Sequence, residues 1–345
     1  MLQALFHAWE RRLSDVTKDR VVRPFEWGLD WIPDHHESDA VPADAIAGYV
    51  SRVMADTDAF FTPPPTTDYT LTPAADGDLL TFPSAFITPH ESNNTVRCRY
   101  FRPKESSTRL RAAVLVMPQW NSDASGHVGL CKLLAWNGMS ALRLSLPYHD
   151  QRMPPELHRA DYIVSANLMR TLQVCRQAVL DARRAIAWLR AQGYERIGIL
   201  GTSLGSCLAL LTAAHEPLID AEALNHISPY FADVVWRGLS TRHVREGLNG
   251  HVELDLLRSI WQPISPRGYL ERLRNRKTLL VYARYDLTFP VDLSEDLVRA
   301  FKDLGIPHEV AVLRCGHYST GKAPFKFVDG YILTKFLKKA LGQRF

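Results

Sequence analysis

Short apolar runs alternate with amphipathic stretches along most of the chain. Runs with strand character are expected at 78–83, 95–101, 112–117, 140–146, 196–200, 221–227, 277–283 and 308–313. The run 112–117 is apolar throughout, which is typical of strands buried on both faces of a parallel sheet. The first two runs could pair as a hairpin.

The stretches between these runs carry apolar residues at helical spacing. In the longest stretch, which Gly193 closes, one face is formed by Leu168, Leu172, Cys175, Val179, Ala182, Ile186 and Leu189. Repeated strand–helix units predict an α/β fold, a mostly parallel sheet of about eight strands with helices on both faces. We place this domain at residues 76–345.

Residues 1–75 do not follow this alternation and are expected to form a helical and irregular extension packed on the main domain. An apolar stripe at helical spacing begins the chain: Leu2, Leu5, Phe6, Trp9 and Leu13. Docking on the main domain is the favoured role of this helix, with peripheral membrane anchoring as the alternative. The neighbouring His35 and His36 are expected in an exposed loop and not at a metal.

Composition narrows the functional class. The 345 residues carry a formal net charge of +4 without a dense basic tract, so nucleic-acid binding is not expected. The five cysteines are widely spaced, which favours a reducing compartment and a cytoplasmic location. Neither a signal-peptide-like stretch nor an apolar run of 18 residues occurs, so no integral membrane segment is expected.

The strongest motif is Gly201-Thr-Ser203-Leu-Gly205, between the apolar run 196–200 and an apolar helix that ends before Pro217. A strand, a sharp turn and a helix are the setting in which G-x-S-x-G presents a nucleophilic serine. The two glycines allow strand and helix to pack closely around the turn. We therefore predict that Ser203 is a nucleophile; the alternative is a helix-capping serine.

A serine nucleophile needs a histidine base, and that base needs an acid to orient it. Asp286 follows the run 277–283, and His317 follows the run 308–313. Both therefore come from loops after late strands, and we predict that they complete a triad with Ser203. Asp233 is the reserve acid, and His226 is a further residue that could line the pocket.

An oxyanion hole and a substrate pocket should adjoin the triad. One oxyanion donor is expected to be the backbone N–H of Leu204, and the other that of Trp120, or alternatively Gln119. Residues expected to line the pocket are Tyr148, His149 and Trp236. The apolar insert at 230–266 could form a lid over the pocket or simply pack on the core.

The order of elements, the motif at 201–205, Asp286 and His317 resemble the α/β-hydrolase superfamily of serine esterases and lipases. Two departures are Pro118-Gln119, where a Gly-rich turn is common, and Ser206, where a glycine is common. The segment Pro-Tyr-His-Asp-Gln-Arg-Met-Pro at 147–154 is also similar to a motif of the α/β-hydrolase-domain-containing-18-like proteins. Within it, Arg152 is expected to form an internal salt bridge, with anion binding as the alternative.

The sequence therefore predicts a serine hydrolase that cleaves a small carboxylic ester through an acyl-enzyme. The alternatives are amide or peptide hydrolysis, acyl transfer, or a non-catalytic binding protein on a hydrolase scaffold. No metal or organic cofactor is expected, because the chain has no H-E-x-x-H, phosphate-loop or dinucleotide-binding motif.

Overall fold

A computed structural model of the chain describes residues 2–33, 41–104 and 110–343, so His35 and His36 lie outside the described residues. The strands are β1 Thr70–Thr72, β2 Asp78–Pro83, β3 Thr95–Phe101, β4 Ala112–Met117, β5 Ser140–Leu144, β6 Arg196–Thr202, β7 Ala221–Asn225, β8 Lys277–Ala283 and β9 His308–Leu313. The α-helices are α1 Leu2–Ser14, α2 Pro42–Ala55, α3 Thr57–Phe61, α4 Val128–Trp136, α5 Leu168–Ala191, α6 Leu204–His215, α7 Phe231–Arg237, α8 Arg242–Leu248, α9 Leu254–Ile260, α10 Val291–Asp303 and α11 Phe325–Ala340.

All these strands form one sheet in the order β1-β2-β3-β5-β4-β6-β7-β8-β9. Six neighbouring strands are parallel to one another, namely β5, β4, β6, β7, β8 and β9. The strands β1, β2 and β3 continue the sheet in antiparallel pairing. The predicted hairpin of β2 and β3 is thus present. The carboxyl ends of β6, β7, β8 and β9 lie side by side, so the loops after them meet at one edge.

Helices cover both faces of the sheet, as the apolar run of β4 requires. Its alternate residues enter two different cores: Ala113, Leu115 and Met117 on one face, Ala112, Val114 and Val116 on the other. The first core also receives apolar residues of α2, α3, α5, α6 and α10, and the second those of α4 and α11. No helix in the described ranges is both long and apolar enough to span a bilayer.

Several element boundaries differ from the sequence-based prediction. The sheet gains β1, a three-residue exposed edge strand that is too short to show a pattern. β7 ends at Asn225 and not at 227, because His226 adopts a left-handed conformation with a φ of 55°. In the N-terminal extension, the helical stretch is divided into α2 and α3 at Asp56, whose side chain accepts a hydrogen bond from the N–H of Ala59.

Candidate active site

Ser203 lies at the tip of a sharp turn between β6 and α6. Its backbone has a φ of 57° and a ψ of −122°, a conformation that non-glycine residues rarely adopt. A Cβ at Gly201 would lie 2.1 Å from the carbonyl oxygen of Gly205, and a Cβ at Gly205 would lie 2.2 Å from that of Met117. Only glycine therefore fits at these two positions, and the close packing holds the serine at the edge of the sheet.

The structure brings Ser203, His317 and Asp286 together from the ends of β6, β9 and β8. Ser203 Oγ is 3.0 Å from His317 Nε2, and His317 Nδ1 is 2.9 Å from Asp286 Oδ2. A carboxylate only accepts hydrogen bonds, so Nδ1 carries the proton and Nε2 can accept the serine proton. The ring of Phe289 stacks on the imidazole of His317 at a centroid distance of 5.4 Å and limits its rotation.

Asp286 is buried, and its two oxygens accept hydrogen bonds from four groups. Oδ1 accepts the backbone N–H groups of Thr288 at 2.8 Å and Phe289 at 2.7 Å. Oδ2 accepts from His317 and from Nδ1 of His226, which is 3.0 Å away. Burial raises the pKa of Asp286, but the charge of His317 and the hydrogen bonds of both histidines outweigh it and hold the pKa below its usual range. Asp286 is therefore ionised when it orients His317.

His226 is a second imidazole on the same carboxylate, a role that the sequence did not predict. Burial lowers its pKa, but the hydrogen bond and the charge of Asp286, together with the charges of Asp329 and Glu10, raise it overall. Ligand atoms of His226, Asp286 and His317 lie within 4.8 Å of one another, close enough to be considered as a metal site. Each imidazole is, however, hydrogen-bonded directly to the carboxylate at 2.9 to 3.0 Å, so these atoms already have partners in one another.

Glu10 of α1 connects the N-terminal extension to the loop that carries His317. Its carboxylate is fully buried and accepts the backbone N–H groups of Tyr318 at 2.8 Å and Ser319 at 2.9 Å. A Cβ at Gly316 would lie 2.3 Å from the carboxyl carbon of Glu10, so a glycine is needed at this contact. Glu10 could not be predicted from the sequence, because an acidic residue within an amphipathic helix gives no signal of a buried partner about 300 residues away.

The loop after β4 lies against the start of α6, as an oxyanion hole requires. The N–H groups of Leu204, Gln119 and Trp120 make no hydrogen bond to the described parts of the chain. His149 anchors this loop, because its Nε2 accepts the N–H of Asn121 at 2.9 Å. The N–H of Leu204 is thus free to act as the first donor, and Trp120 and Gln119 both remain candidates for the second.

Ser203 and His317 open into a cavity of about 1350 Å³. Near the serine, its apolar walls include Trp120, Leu204 and, from α7, Phe231, Val234 and Val235. It continues between α4 and α11, where Leu130, Leu133 and Tyr331 line it. Within the insert, α7 thus forms part of the cavity wall. Trp261 instead packs in the core and donates its indole N–H to the carbonyl of Leu168.

Tyr148, His149 and Trp236, which the sequence predicts to line the pocket, are not among the residues that line this cavity. Tyr148 is fully buried, and its hydroxyl bonds to Nδ1 of His90 at 3.0 Å. His149 holds the loop at Asn121, and its burial lowers its pKa to about 4. The indole ring of Trp236 packs under the guanidinium of Arg245 at 5.0 Å. Tyr148 and His149 were predicted from their position after β5, which does not reveal the direction in which a side chain points.

Asp233 and Arg152, for which the sequence left alternative roles open, both form salt bridges. Asp233, the reserve acid, is buried and pairs with Arg258 through contacts of 2.6 and 3.0 Å. Arg152 is fully buried and pairs with Asp181 at 2.8 Å, so it forms the internal salt bridge and does not face the cavity.

Comparison with known proteins relates the chain to hydrolases. A family model described as alpha/beta hydrolase domain containing 18 matches residues 80–237, a range that contains Ser203 and the 147–154 motif but neither Asp286 nor His317. No curated protein sequence matches the chain.

Among solved structures, an acetyl xylan esterase from Paenibacillus sp. R4 is similar with a TM-score of 0.63 and 16% identity, over 91% of this chain and 98% of the esterase. The Pyrococcus horikoshii acylaminoacyl peptidase is similar with a TM-score of 0.60 and 15% identity, over 81% of this chain and 43% of the peptidase. A puromycin-hydrolyzing peptidase from Mycobacterium tuberculosis gives a TM-score of 0.58 and 14% identity, over 80% of this chain and 46% of the peptidase. The chain thus spans less than half the length of these two peptidases.

Proposed function

Because the chain has the α/β-hydrolase fold, we propose that it is a serine hydrolase that cleaves a small carboxylic ester through an acyl-enzyme. The observation that carries this proposal is the continuous chain of hydrogen bonds from Ser203 through His317 to Asp286. It joins a nucleophile, a base and an orienting acid at the wall of one large cavity.

In the first half of the reaction, Ser203 Oγ attacks the ester carbonyl while His317 Nε2 takes its proton. Asp286 keeps His317 in the required tautomer and stabilises the imidazolium that forms. The N–H groups of Leu204 and of Trp120 or Gln119 bind the developing oxyanion. His317 then returns the proton to the leaving alcohol, and Ser203 holds the acyl group.

In the second half, a water molecule attacks the acyl-enzyme. His317 takes a proton from this water and gives it to Ser203 Oγ when the acyl group leaves as the acid. No step requires a metal or an organic cofactor.

Amide or peptide hydrolysis is the second candidate, and the similarity to two peptidases is the observation that favours it. It uses the same triad but expels an amine, which is a poorer leaving group than an alcohol. Acyl transfer differs only in the acceptor that replaces water.

A panel of 4-nitrophenyl esters of graded acyl length, beside the matched 4-nitroanilides, tests the proposal. We expect ester turnover that Ser203→Ala lowers by about 10⁶-fold in kcat. Anilide turnover at a comparable kcat/KM would favour the peptidase alternative. Absence of turnover on every substrate by the folded protein would favour a binding protein instead.

We also propose a division of the chain into an N-terminal extension and a catalytic domain. We assign residues 76–345 to the catalytic domain and residues 1–75 to an extension whose Glu10 supports the His317 loop. The insert at 230–266 contributes α7 to the cavity wall, which suits a lid over the acyl group.

A further inference from the structure

A group of polar side chains lies beside the triad at the end of β7. Asn225 and His226 are each only 2% exposed, yet Asn225 Oδ1 and His226 Nε2 have no hydrogen-bond partner among the described residues. Asp329 of α11 likewise has its Oδ1 buried and unpaired within the described ranges. Buried polar atoms normally have partners, so three such atoms at one place call for an explanation.

Hydrogen bonds fix which atoms of this group are left over. Asn225 Nδ2 donates to Asp329 Oδ2 at 2.9 Å, which leaves one oxygen of each side chain free. His226 Nδ1 donates to Asp286 Oδ2 at 3.0 Å, which leaves Nε2 free. Asn225, His226 and Asp329 all line the cavity that contains Ser203 and His317. The free atoms therefore belong to the space in which the ester is expected to bind.

The chemistry of these atoms selects the ligand. The oxygen of Asn225 only accepts hydrogen bonds. Burial raises the pKa of Asp329, and its free oxygen accepts when the carboxyl group is ionised and donates when it is protonated. His226 Nε2 likewise accepts when the ring is neutral and donates when it is charged. An alkyl group would leave all three atoms unpaired. A hydroxyl group both donates and accepts, so it fits whichever proton state His226 takes.

We propose that Asn225, His226 and Asp329 form a polar subsite that binds a hydroxyl group of the substrate. The substrate is then an ester whose alcohol or acyl part carries a free hydroxyl. This inference rests on the proposed function, because the subsite acts on an ester bound at Ser203.

Two matched pairs of esters test the subsite and locate the hydroxyl. The first pair is glycerol 1-monobutyrate and propyl butyrate, which differ by hydroxyls on the alcohol. The second pair is ethyl 3-hydroxybutyrate and ethyl butyrate, which differ by a hydroxyl on the acyl group. We expect kcat/KM to be at least about tenfold higher for the hydroxylated member of one pair, because the analogue without the hydroxyl leaves buried polar atoms unpaired.

The subsite is tested with variants on two elements, β7 and α11, so that a folding defect in one variant does not prevent the test. Asn225→Ala and Asp329→Ala should each bring the ratio of kcat/KM within the preferred pair toward one. Asp329→Asn keeps an acceptor oxygen and should retain more of the preference than Asp329→Ala. Gln343→Ala is the matched control, since it removes another buried side chain whose amide oxygen has no partner among the described residues but which does not line the cavity, and it should leave the ratio unchanged.

Equal kcat/KM within both pairs for the wild-type protein would overturn the subsite while leaving ester hydrolysis intact. A preference that persists in both alanine variants, or that Gln343→Ala abolishes equally, would also overturn it. Failure to hydrolyse any of the four esters would instead contradict the proposed function.

Discussion

Replacement of Glu10 by alanine should lower kcat strongly, although Glu10 contacts neither substrate nor reacting atoms. Its carboxylate accepts two backbone N–H groups, those of Tyr318 and Ser319, directly after the predicted base His317. Glu10 is fully buried, so its loss leaves these two N–H groups without their carboxylate acceptor inside the protein. Glu10 is therefore a positioning residue.

The size of the effect follows from these two contacts. A hydrogen bond to a charged group contributes about 1.5–3 kcal/mol, so two of them hold the loop by about 3–6 kcal/mol. When they are lost, the loop can leave the position in which His317 Nε2 lies 3.0 Å from Ser203 Oγ. A displacement of about 1 Å in a catalytic group can cost about 100-fold in rate, and we expect a fall of that order in kcat.

Steady-state hydrolysis of a 4-nitrophenyl ester, with circular dichroism to confirm folding, measures this effect. We expect kcat to fall while KM changes little, and Glu10→Gln to recover part of the rate because it keeps one acceptor oxygen. Glu246→Ala, which removes an exposed carboxylate from α8, is the matched control and should resemble the wild type. A folded Glu10→Ala protein with a kcat within about threefold of the wild type would refute this reasoning.

Three further outcomes are expected. Asp286→Asn should lower kcat by about 10⁴-fold while Asp233→Asn has little effect, and the reverse order in ester assays would reassign the acid. Gly205→Ala should destabilise the protein by about 1–3 kcal/mol or more in urea unfolding, because its Cβ would lie 2.2 Å from a carbonyl oxygen. A Cβ at Gly129 in α4 would have no atom within 4 Å, so Gly129→Ala should be neutral or stabilising. An equal loss of unfolding free energy in Gly129→Ala and Gly205→Ala would contradict the packing argument. His149 is buried and neutral with its pKa lowered to about 4, so the unfolded chain binds its proton first as the pH falls from about 6.5. The free energy of unfolding of the wild type, relative to that of a folded His149→Gln variant, should therefore decrease from pH 6.5 to 4 by roughly 1.4 kcal/mol per pH unit, and a constant difference would contradict the assignment.

The α/β-hydrolase fold predicted from the sequence is confirmed, because continuous apolar runs and helical faces are local signals. The bounds predicted for β4, β8 and β9 agree with the structure. β1 was missed because a three-residue exposed edge strand has no apolar face to bury. The end of β7 was misplaced because His226, which is hydrogen-bonded to Asp286, adopts a left-handed conformation that an apolar run does not reveal.

The candidate site was predictable to the extent that it follows strand ends. Ser203, Asp286 and His317 could be named because each follows a recognisable strand, and the structure places them in hydrogen-bonding contact. The cavity walls were not predictable in this way, since contacts between distant segments decide which side chains face inward. Glu10 and Asp329 reach the site from helices far away in the chain, where one acidic residue looks like any other.

Covalent labelling of Ser203 tests the central claim most directly. A fluorophosphonate reacts with a serine only when a base activates it, and peptide mass spectrometry then identifies the modified residue. We expect one adduct, on the peptide containing Ser203, that is absent from Ser203→Ala and strongly reduced in His317→Ala. A folded protein that remains unlabelled, or an adduct on a different residue, would contradict the account.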